Sequence, residues 1–208
     1  MNNATGEMYV YNYFPTKVAE TYLKDYENIN NDILPKIYDL QNSQKDNLQR
    51  SNEGGWHSTD DLNYRPEFRN IHNAILESVN ALGNNLNYDT NKYYLKISNM
   101  WSIINKKHDY NSSHSHTNAL WSGVYYVKAD KDSGNLNLYD PRLQAHTTHH
   151  YTNDKELHEL NYTSMKFTPH TGKCLIFPGW LIHDVSPSKS DNDRIIISFN
   201  IGQSPKVL

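Results

Sequence analysis

The sequence predicts an α+β fold that is mainly β, with helices in the first part of the chain and an antiparallel sandwich or barrel in the second. Up to about residue 90, apolar residues recur at helical spacing. From Tyr93 onward they recur at every second position, in short segments separated by turns that contain Gly and Pro. Helices followed by many short strands are typical of α+β proteins that contain a sandwich or barrel.

The helical part contains three candidate segments, at residues 16–26, 33–40 and 66–82. Proline is tolerated in the first turn of a helix, so the second helix is expected to begin just before Pro35. The third segment has the strongest pattern, because its apolar residues form one stripe and Gly83, which suits the position just after a helix, follows it. We therefore expect helices that each bury one apolar face.

Seven later segments have the pattern of strands: residues 93–103, 121–127, 136–139, 165–167, 174–177, 180–185 and 194–201. In the last segment, one face carries Arg194, Ile196, Ser198 and Asn200, and the other carries Ile195, Ile197, Phe199 and Ile201. The polar, turn-rich residues 186–193 predict a reversal of the chain. A hairpin at this point would place His183 and Arg194 on neighbouring strands.

Length, charge and composition exclude several classes of protein. A chain of 208 residues with a net charge of −3 is long enough for one domain with a sizeable core, and it lacks the clustered Lys and Arg of a nucleic-acid binder. Its apolar runs are too short to cross a membrane, and residues 1–6 lack the apolar segment of a secretory signal. The single cysteine, Cys174, cannot form an internal disulfide, so we expect a buried thiol in a cytoplasmic protein.

A polar stretch at residues 41–61 separates the second and third helical segments and contains Gly54-Gly55-Trp56-His57-Ser58. A loop of this length within a compact domain is usually functional or disordered. Its Trp and His suit a lid over a site and a surface anchor equally well, so the sequence leaves the role of this loop open.

Histidine has an unusual distribution, since most of the 11 histidines lie between His108 and His183. His114 and His116 are two positions apart, so in an extended chain both imidazoles point to the same side. His183, on a later strand, is a candidate third ligand, and three protein ligands leave positions on a metal open for substrate and for oxygen or water. Histidines also collect in surface loops, as we expect for most of His146, His149, His150, His158 and His170.

These residues belong to a longer stretch that resembles the iron(II)/2-oxoglutarate-dependent oxygenase superfamily. The resemblance extends from Met100-Trp101-Ser102 to Asn200, roughly half of the chain. Its motifs are His114-Ser115-His116, residues 122–127, residues 134–138, Asp140-Pro141-Arg142, residues 172–177, residues 180–183 and residues 194–200. The chain is most similar to a branch known mainly as predicted oxygenases, here with His-x-His in place of the usual His-x-Asp.

The resemblance implies a double-stranded β-helix, a jelly-roll or cupin-like barrel with helices packed outside it. It implies a single oxygenase-like domain over residues 1–208, with a helical N-terminal part at 1–90 and a β-helix core at 91–208. The cofactors implied are iron(II), 2-oxoglutarate and dioxygen. The site residues implied are the catalytic metal ligands His114, His116 and His183, together with Arg194, Ser198 and Tyr126, which would bind the far carboxylate of 2-oxoglutarate.

One position departs from the superfamily pattern, because His116 stands where an acidic ligand is usual. Three arrangements remain open at this point. In the first, the metal has three histidine ligands. In the second, Asp140 reaches in as the carboxylate. In the third, either His114 or His116 lies outside the metal's direct ligands. Asp184 follows His183 directly and would point to the opposite face of the strand.

The function implied is hydroxylation of a substrate with release of succinate and CO2. Two alternatives stay open, namely a three-histidine metal dioxygenase or other cupin-like enzyme that does not use 2-oxoglutarate, and a jelly-roll binding module without enzymatic activity. Fold alone does not choose among them. The partner implied is a substrate, either a small molecule or a protein side chain.

Overall fold

The protein contains two antiparallel sheets that face each other across a cavity. The computed structural model describes residues 7–44, 47–153 and 159–206. The expectations for residues 1–6 and for His158 lie outside these residues. The predicted fold class, α+β and mainly β, is confirmed, because the described residues form two long helices and two antiparallel sheets.

The larger sheet has six strands in the order β1-β9-β6-β11-β4-β3. Its strands are β1 (Ala19–Tyr22), β3 (Trp56–His57), β4 (Tyr93–Asn105), β6 (Trp121–Lys128), β9 (Lys173–Pro178) and β11 (Arg194–Pro205). The central strand β11 pairs along its length with β4 and along its first half with β6. Two strands of this sheet, β1 and β3, thus come from the first 90 residues. The predicted boundary between a helical part at 1–90 and a β-helix core at 91–208 stays a prediction.

The smaller sheet has five strands in the order β2-β5-β10-β7-β8. They are β2 (Asn52–Glu53), β5 (Tyr110–His114), β7 (Leu136–Tyr139), β8 (Ser164–Phe167) and β10 (His183–Val185). Strand β10 lies between β5 and β7, and its register places His183 beside His114. This pairing brings two of the predicted metal ligands together.

The predicted hairpin between the last two strands is wrong. Strand β10 belongs to the smaller sheet and β11 to the larger one, so His183 and Arg194 are not on neighbouring strands. Residues 186–193 do reverse the chain, but they carry it from one sheet to the other. Because the two sheets face each other, both residues still line the same cavity.

The strict alternation predicted for β11 is confirmed and explains how the strand serves two purposes. Ile195, Ile197 and Phe199 are buried in the core on the outer side of the larger sheet. Arg194 and Ser198 point the other way and line the cavity between the sheets. A side-chain period of two lets one strand complete a core and supply a site at the same time.

Two helices cover the outer side of the larger sheet: α1 (Tyr26–Ser43) and α2 (Arg69–Asn85). Their buried residues Ile33, Ile37, Ile71, Ile75 and Val79 join the core formed by the apolar face of β11. Short 3-10 helices lie at Leu62–Tyr64, Pro66–Phe68, Leu143–Thr147 and Glu159–Asn161. None of the helices in the described ranges is both long and apolar enough to span a membrane.

Three helix expectations need correction. The predicted helix at residues 16–26 is wrong, because Ala19–Tyr22 pair as strand β1 along the edge of the larger sheet and helix α1 begins only at Tyr26. Pro35 lies in the middle of α1, on its exposed side, where water can satisfy the carbonyl that loses its intrahelical bond. Gly83 lies within α2 and not after its end. It is buried against Leu95, and a Cβ atom at this position would lie only 2.9 Å from the Leu95 side chain.

We predict that the packing of α2 on the sheet contributes strongly to stability. Ile75 is fully buried, so Ile75→Ala should lower the free energy of unfolding by about 2–5 kcal/mol, through lost burial and the cavity left behind. Glu77→Ala, on the exposed side of the same helix, should change it by less than about 0.5 kcal/mol. Equal effects in urea denaturation would contradict the packing described.

Candidate active site

One cavity of about 430 Å³ opens between the two sheets and contains all the predicted site residues except Asp140, the alternative ligand. The cavity is lined by His114, His116, Tyr126, His183, Arg194 and Ser198, together with apolar side chains of both sheets. The residues come from β5 and the segment after it, from β6, from β10 and from β11. Strands of both sheets therefore build the site.

The three histidines form a compact cluster. The ring centroids of His114 and His183 are 4.3 Å apart, and each lies 5.1 Å from the centroid of His116. One ring nitrogen from each histidine lies within 4.8 Å of those of the other two. Among the described residues, this is the group of potential ligands whose spacing suits a metal ion.

Hydrogen bonds fix which nitrogen each ring presents to the cluster. The Nδ1 atom of His114 lies 2.7 Å from the Ser112 carbonyl oxygen, and that of His183 lies 2.8 Å from the Leu181 carbonyl oxygen. A carbonyl oxygen only accepts, so both Nδ1 atoms must carry the proton. The Nε2 atom of each ring then has a free lone pair, which is the form that binds a metal.

Burial keeps all three imidazoles neutral. Loss of hydration lowers the pKa of His114 and of His116. The same effect, with repulsion from His114 as the next cause, lowers the pKa of His183 to about 3. Near neutral pH the cluster is therefore three neutral donors with no proton to displace.

Arg194 is a buried cation that has no acidic partner within residues 7–44, 47–153 and 159–206. Its side chain is 1% exposed, and burial lowers the pKa of its guanidinium to about 10, so it stays charged at neutral pH. Its Nη1 donates to the carbonyls of Ser133 (3.0 Å) and Gly134 (3.2 Å), while its Nε has no partner. No carboxylate of the described residues forms a salt bridge with it, which leaves it suited to an anion.

The carbonyl contacts of Arg194 depend on the absence of a side chain at Gly134. The residue has φ +97°, and a Cβ atom there would lie 2.2 Å from the Ser186 carbonyl oxygen and 3.0 Å from Nη1 of Arg194. Glycine adopts this backbone conformation at little cost. The turn before β7 thus brings two carbonyl oxygens against the guanidinium.

Tyr126 and Ser198 bring hydroxyl groups to the same cavity. Tyr126 is 2% exposed, and burial raises the pKa of its phenol to about 12, so it remains a neutral O–H donor. Ser198 lies four positions after Arg194 on the same face of β11. A guanidinium and two hydroxyls in one cavity can surround a carboxylate with donors.

Asp140, the alternative carboxylate ligand, lies outside the histidine cluster. Its Oδ2 atom accepts from Nη2 of Arg142 at 2.7 Å and lies 3.6 Å from Nε2 of His146. The hydrogen bonds from Arg142 lower the pKa of Asp140 to about 2. Asp184 also points away, since its carboxylate accepts from Asn137 and Tyr139 on the other side of the smaller sheet.

The remaining histidines of the second half follow the expected surface pattern. His146, His149, His150 and His170 are exposed, and none of them lines the cavity. Cys174 is fully buried, as expected.

Part of the polar stretch at residues 41–61 lines the mouth of the cavity. Leu48, Arg50, Ser51, His57 and Asp60 contribute to the lining. The segment is held at both ends, since β2 pairs with β5 of the smaller sheet and β3 with β4 of the larger one. It therefore bridges the two sheets beside the site.

A stack of aromatic rings connects this bridge to the histidine cluster. Trp101 lies between His57 and His116, with ring centroids 5.8 Å apart on each side and interplanar angles of 10° and 24°. His57 is buried, and its Nδ1 lies 2.6 Å from the Ser58 carbonyl oxygen. These contacts give the cavity an aromatic wall next to the cluster.

Several residues of the site were not singled out from the sequence. Asn111 lies near Arg194, and Asn200 contacts His116. The carbonyls of Ser133 and Gly134 have no residue signature, because any residue can supply a backbone oxygen. Asn200 did have a signal, since it shares a face of the last strand with Arg194 and Ser198.

The fold and the cavity define a class: a jelly-roll protein with a three-histidine cluster and a buried, unpaired guanidinium in one cavity. Residues 99–200 match the family model described as "Putative 2OG-Fe(II) oxygenase". The matched region contains every predicted site residue. None of the curated proteins matches the sequence of this chain.

Solved structures resemble the chain over most of its length at low sequence identity. A Pseudomonas putida prolyl-4-hydroxylase has a TM-score of 0.61 at 11% identity, covering 89% of this chain and 92% of its own. HygX from Streptomyces hygroscopicus, with nickel, 2-oxoglutarate and hygromycin B bound, has a TM-score of 0.61 at 12% identity, covering 90% and 83%. A Trichoplax adhaerens prolyl hydroxylase in complex with a peptide fragment of the hypoxia inducible factor oxygen degradation domain has a TM-score of 0.59 at 14% identity, covering 88% and 82%.

Over residues 99–200, which are 102 of its 208 residues, the chain is similar to the 2OG-Fe(II) oxygenase family. The chain is an oxygenase, and the matched family depends on iron(II), 2-oxoglutarate and dioxygen. The expected double-stranded β-helix fold is confirmed by the structural matches. The histidine cluster fits iron(II), because neutral imidazole is a donor that suits this metal and all three rings are neutral.

The metal-free protein should lose stability as the pH falls below about 6.5. In the unfolded chain His183 takes up a proton near its ordinary pKa of 6.5, whereas in the folded protein it does so only near 3. Between these values the unfolded state binds more protons, so each pH unit of acidification costs about 1.4 kcal/mol through this residue alone.

This pH dependence can be assigned by comparing two variants in urea denaturation at several pH values between 6.5 and 4. His183→Gln should flatten the slope of unfolding free energy against pH by about 1 kcal/mol per unit. His170→Gln, at an exposed position, should leave the slope as it is in the wild type. An unchanged slope in His183→Gln would show that this histidine is not held neutral by burial.

Proposed function

We propose that this oxygenase hydroxylates a small substrate, or a protein side chain, and releases succinate and CO2. The observation that carries the proposal is the presence of two unmet binding requirements in one cavity. At one, three imidazoles that burial keeps neutral converge, so that a metal can bind without first displacing a proton. At the other, a buried guanidinium has an unpartnered N–H and forms no salt bridge with any acidic residue that the structure describes.

We assign the metal to His114, His116 and His183, each acting through its Nε2 atom. The Nδ1 hydrogen bonds support this assignment, because they fix the two rings His114 and His183 in the tautomer that binds. When bound together, iron(II), 2-oxoglutarate and dioxygen supply the oxidising power for the reaction. Asp140 is the less favoured ligand, because its carboxylate is engaged with Arg142.

We assign the far carboxylate of 2-oxoglutarate to Arg194, assisted by Tyr126 and Ser198. The guanidinium offers a charge-assisted bond, which is about twice as strong as a neutral one. Burial at the inner part of the cavity strengthens the attraction further, because the surroundings are poorly polarisable. The phenol of Tyr126 donates rather than accepts, since its pKa is raised to about 12.

The rest of the cavity serves to hold the substrate and exclude water. Apolar side chains from both sheets, including Ile103, Leu136 and Phe177, line it beside the cluster. At about 430 Å³ the cavity lies at the small end of the usual range for ligand pockets, roughly 300–1,000 Å³, and it must also hold the five-carbon cosubstrate. A small molecule or a single side chain fits the remaining space, and similar structures contain a peptide in one case and hygromycin B in another.

A second candidate function is a three-histidine dioxygenase reaction without 2-oxoglutarate. The observation that favours it is the absence of a carboxylate from the described cluster of metal ligands. A reaction without 2-oxoglutarate gives Arg194 no carboxylate to bind, and for that reason we place this candidate second. The two candidates differ in their products, because only the first forms succinate.

Turnover should couple oxygen consumption to succinate formation in a one-to-one ratio once a substrate is present. We expect iron(II)-loaded protein screened against amino acids, peptides and small metabolites to form succinate above its uncoupled background, and His183→Ala to remove this activity. Oxygen consumption that needs no 2-oxoglutarate and yields no succinate would favour the second candidate.

Arg194→Met should weaken 2-oxoglutarate binding by about 100-fold or more, because a ligand carboxylate buried without its cation costs about 3 kcal/mol. Anaerobic titration of the iron(II)-loaded protein, followed by the visible charge-transfer band of the chelate, measures this. Arg142→Met removes an exposed arginine whose partner is Asp140, and it should bind 2-oxoglutarate like the wild type. Wild-type affinity in Arg194→Met, with metal binding intact, would refute the role of Arg194.

A further inference from the structure

His116 differs from the other two histidines in what stands behind it. The Nδ1 atoms of His114 and His183 each contact a backbone carbonyl two residues earlier in the chain. The Nδ1 atom of His116 instead lies 2.6 Å from Oδ1 of Asn200, which is 84 residues away on β11. The tautomer of this one ring therefore depends on a side chain.

Asn200 presents the same oxygen to two donors. Its Oδ1 accepts the Ser122 hydroxyl at 2.7 Å as well as the Nδ1–H of His116. Ser122 and Asn200 face each other across the β6–β11 pair, and Ser122 is 1% exposed. Strand pairing thus fixes the position of the amide oxygen, and the amide oxygen fixes the ring.

The direction of this hydrogen bond decides whether His116 can bind a metal. With Oδ1 facing the ring, Nδ1 carries the proton and Nε2 is free. With the amide turned over, Nδ2 would donate to Nδ1 and the ring proton would move to Nε2, where it would block coordination. Partners that orient a ligating histidine in this way typically change metal affinity by about 10- to 100-fold when they are removed.

We propose that Asn200 is a positioning residue that makes His116 a metal ligand, by accepting its Nδ1–H and fixing the ring in the Nε2-free form. The inference rests on the assignment of the three histidines to the metal in the proposed function. In this arrangement a neutral amide supports a neutral ligand at the position where the superfamily usually has an acid. The positioning contact also belongs to the strand that carries Arg194 and Ser198.

The test measures the dissociation constant of cobalt(II), a probe that needs no turnover, by competition with a chelator under anaerobic conditions. Asn200→Leu keeps the approximate size of the side chain and removes the acceptor, so affinity should fall by about 10- to 100-fold. Asn200→Asp keeps an oxygen in place and cannot donate, so it should remain within about threefold of the wild type or bind more tightly. A fall in Asn200→Asp as large as that in Asn200→Leu would overturn the proposal.

Asn99 provides a matched control, because it lies opposite Asn200 on β4 and also lines the cavity. No hydrogen bond joins it to the three histidines in the described ranges. Asn99→Leu should therefore keep the wild-type affinity for cobalt(II). If Asn200→Leu does so too, while its fold is intact by circular dichroism, the inference fails and the proposed function stands.

The ring itself reports the proposed tautomer independently of affinity. In zinc(II)-loaded wild-type protein labelled with ¹⁵N, the His116 spectrum should show a proton directly bonded to Nδ1, and the signal should change in Asn200→Leu. A proton on Nε2 of His116 would overturn the proposal. Failure of the wild type to bind cobalt(II), or an unchanged affinity in His183→Ala, would overturn the metal assignment itself and with it this inference.

Discussion

A buried guanidinium that contacts only carbonyl oxygens keeps its net positive charge and therefore attracts an anion. Arg194 is such a group, and the rest of the cavity is arranged around it. Its guanidinium is held by carbonyl oxygens of the turn before β7, and no acidic side chain is paired with it in the part of the chain that the structure describes. Removing water from such a group is costly, so the surrounding contacts must be well formed. Gly134, Ser133 and Asn111 supply those contacts, and they fix the larger and smaller sheets relative to each other at this end of the cavity.

The two-sheet architecture lets short strands build a site that no single sheet could hold. β10 has three residues, yet its pairing with β5 places His183 beside His114. β11 crosses the opposite side and carries Arg194, Ser198 and Asn200 on one face. The residues at 50–60 then join both sheets at the mouth, where His57 and Trp101 extend an aromatic wall to His116. The residues of the proposed site therefore come together only because strands of both sheets line one cavity.

The sequence allowed much of this to be predicted, because side-chain periodicity and spacing are local. The alternation in β11 identified its core face and its cavity face, and the spacing of His114, His116 and His183 identified three residues that the structure brings together. Pairing was harder to predict, because nothing in residues 186–193 says whether the chain returns to the same sheet or crosses to the other. The carbonyl contacts of Arg194 have no residue signature at all. The strand at β1 was missed because its few residues carry a pattern that also suits a helix.

The unpaired guanidinium has a kinetic consequence. In the proposed reaction, the cosubstrate loses one carboxylate but keeps the one that Arg194 holds, so the product leaves with the same anionic end that brought the cosubstrate in. The contact that secures the first therefore slows the escape of the second. Other small dicarboxylates should therefore compete with the cosubstrate for Arg194.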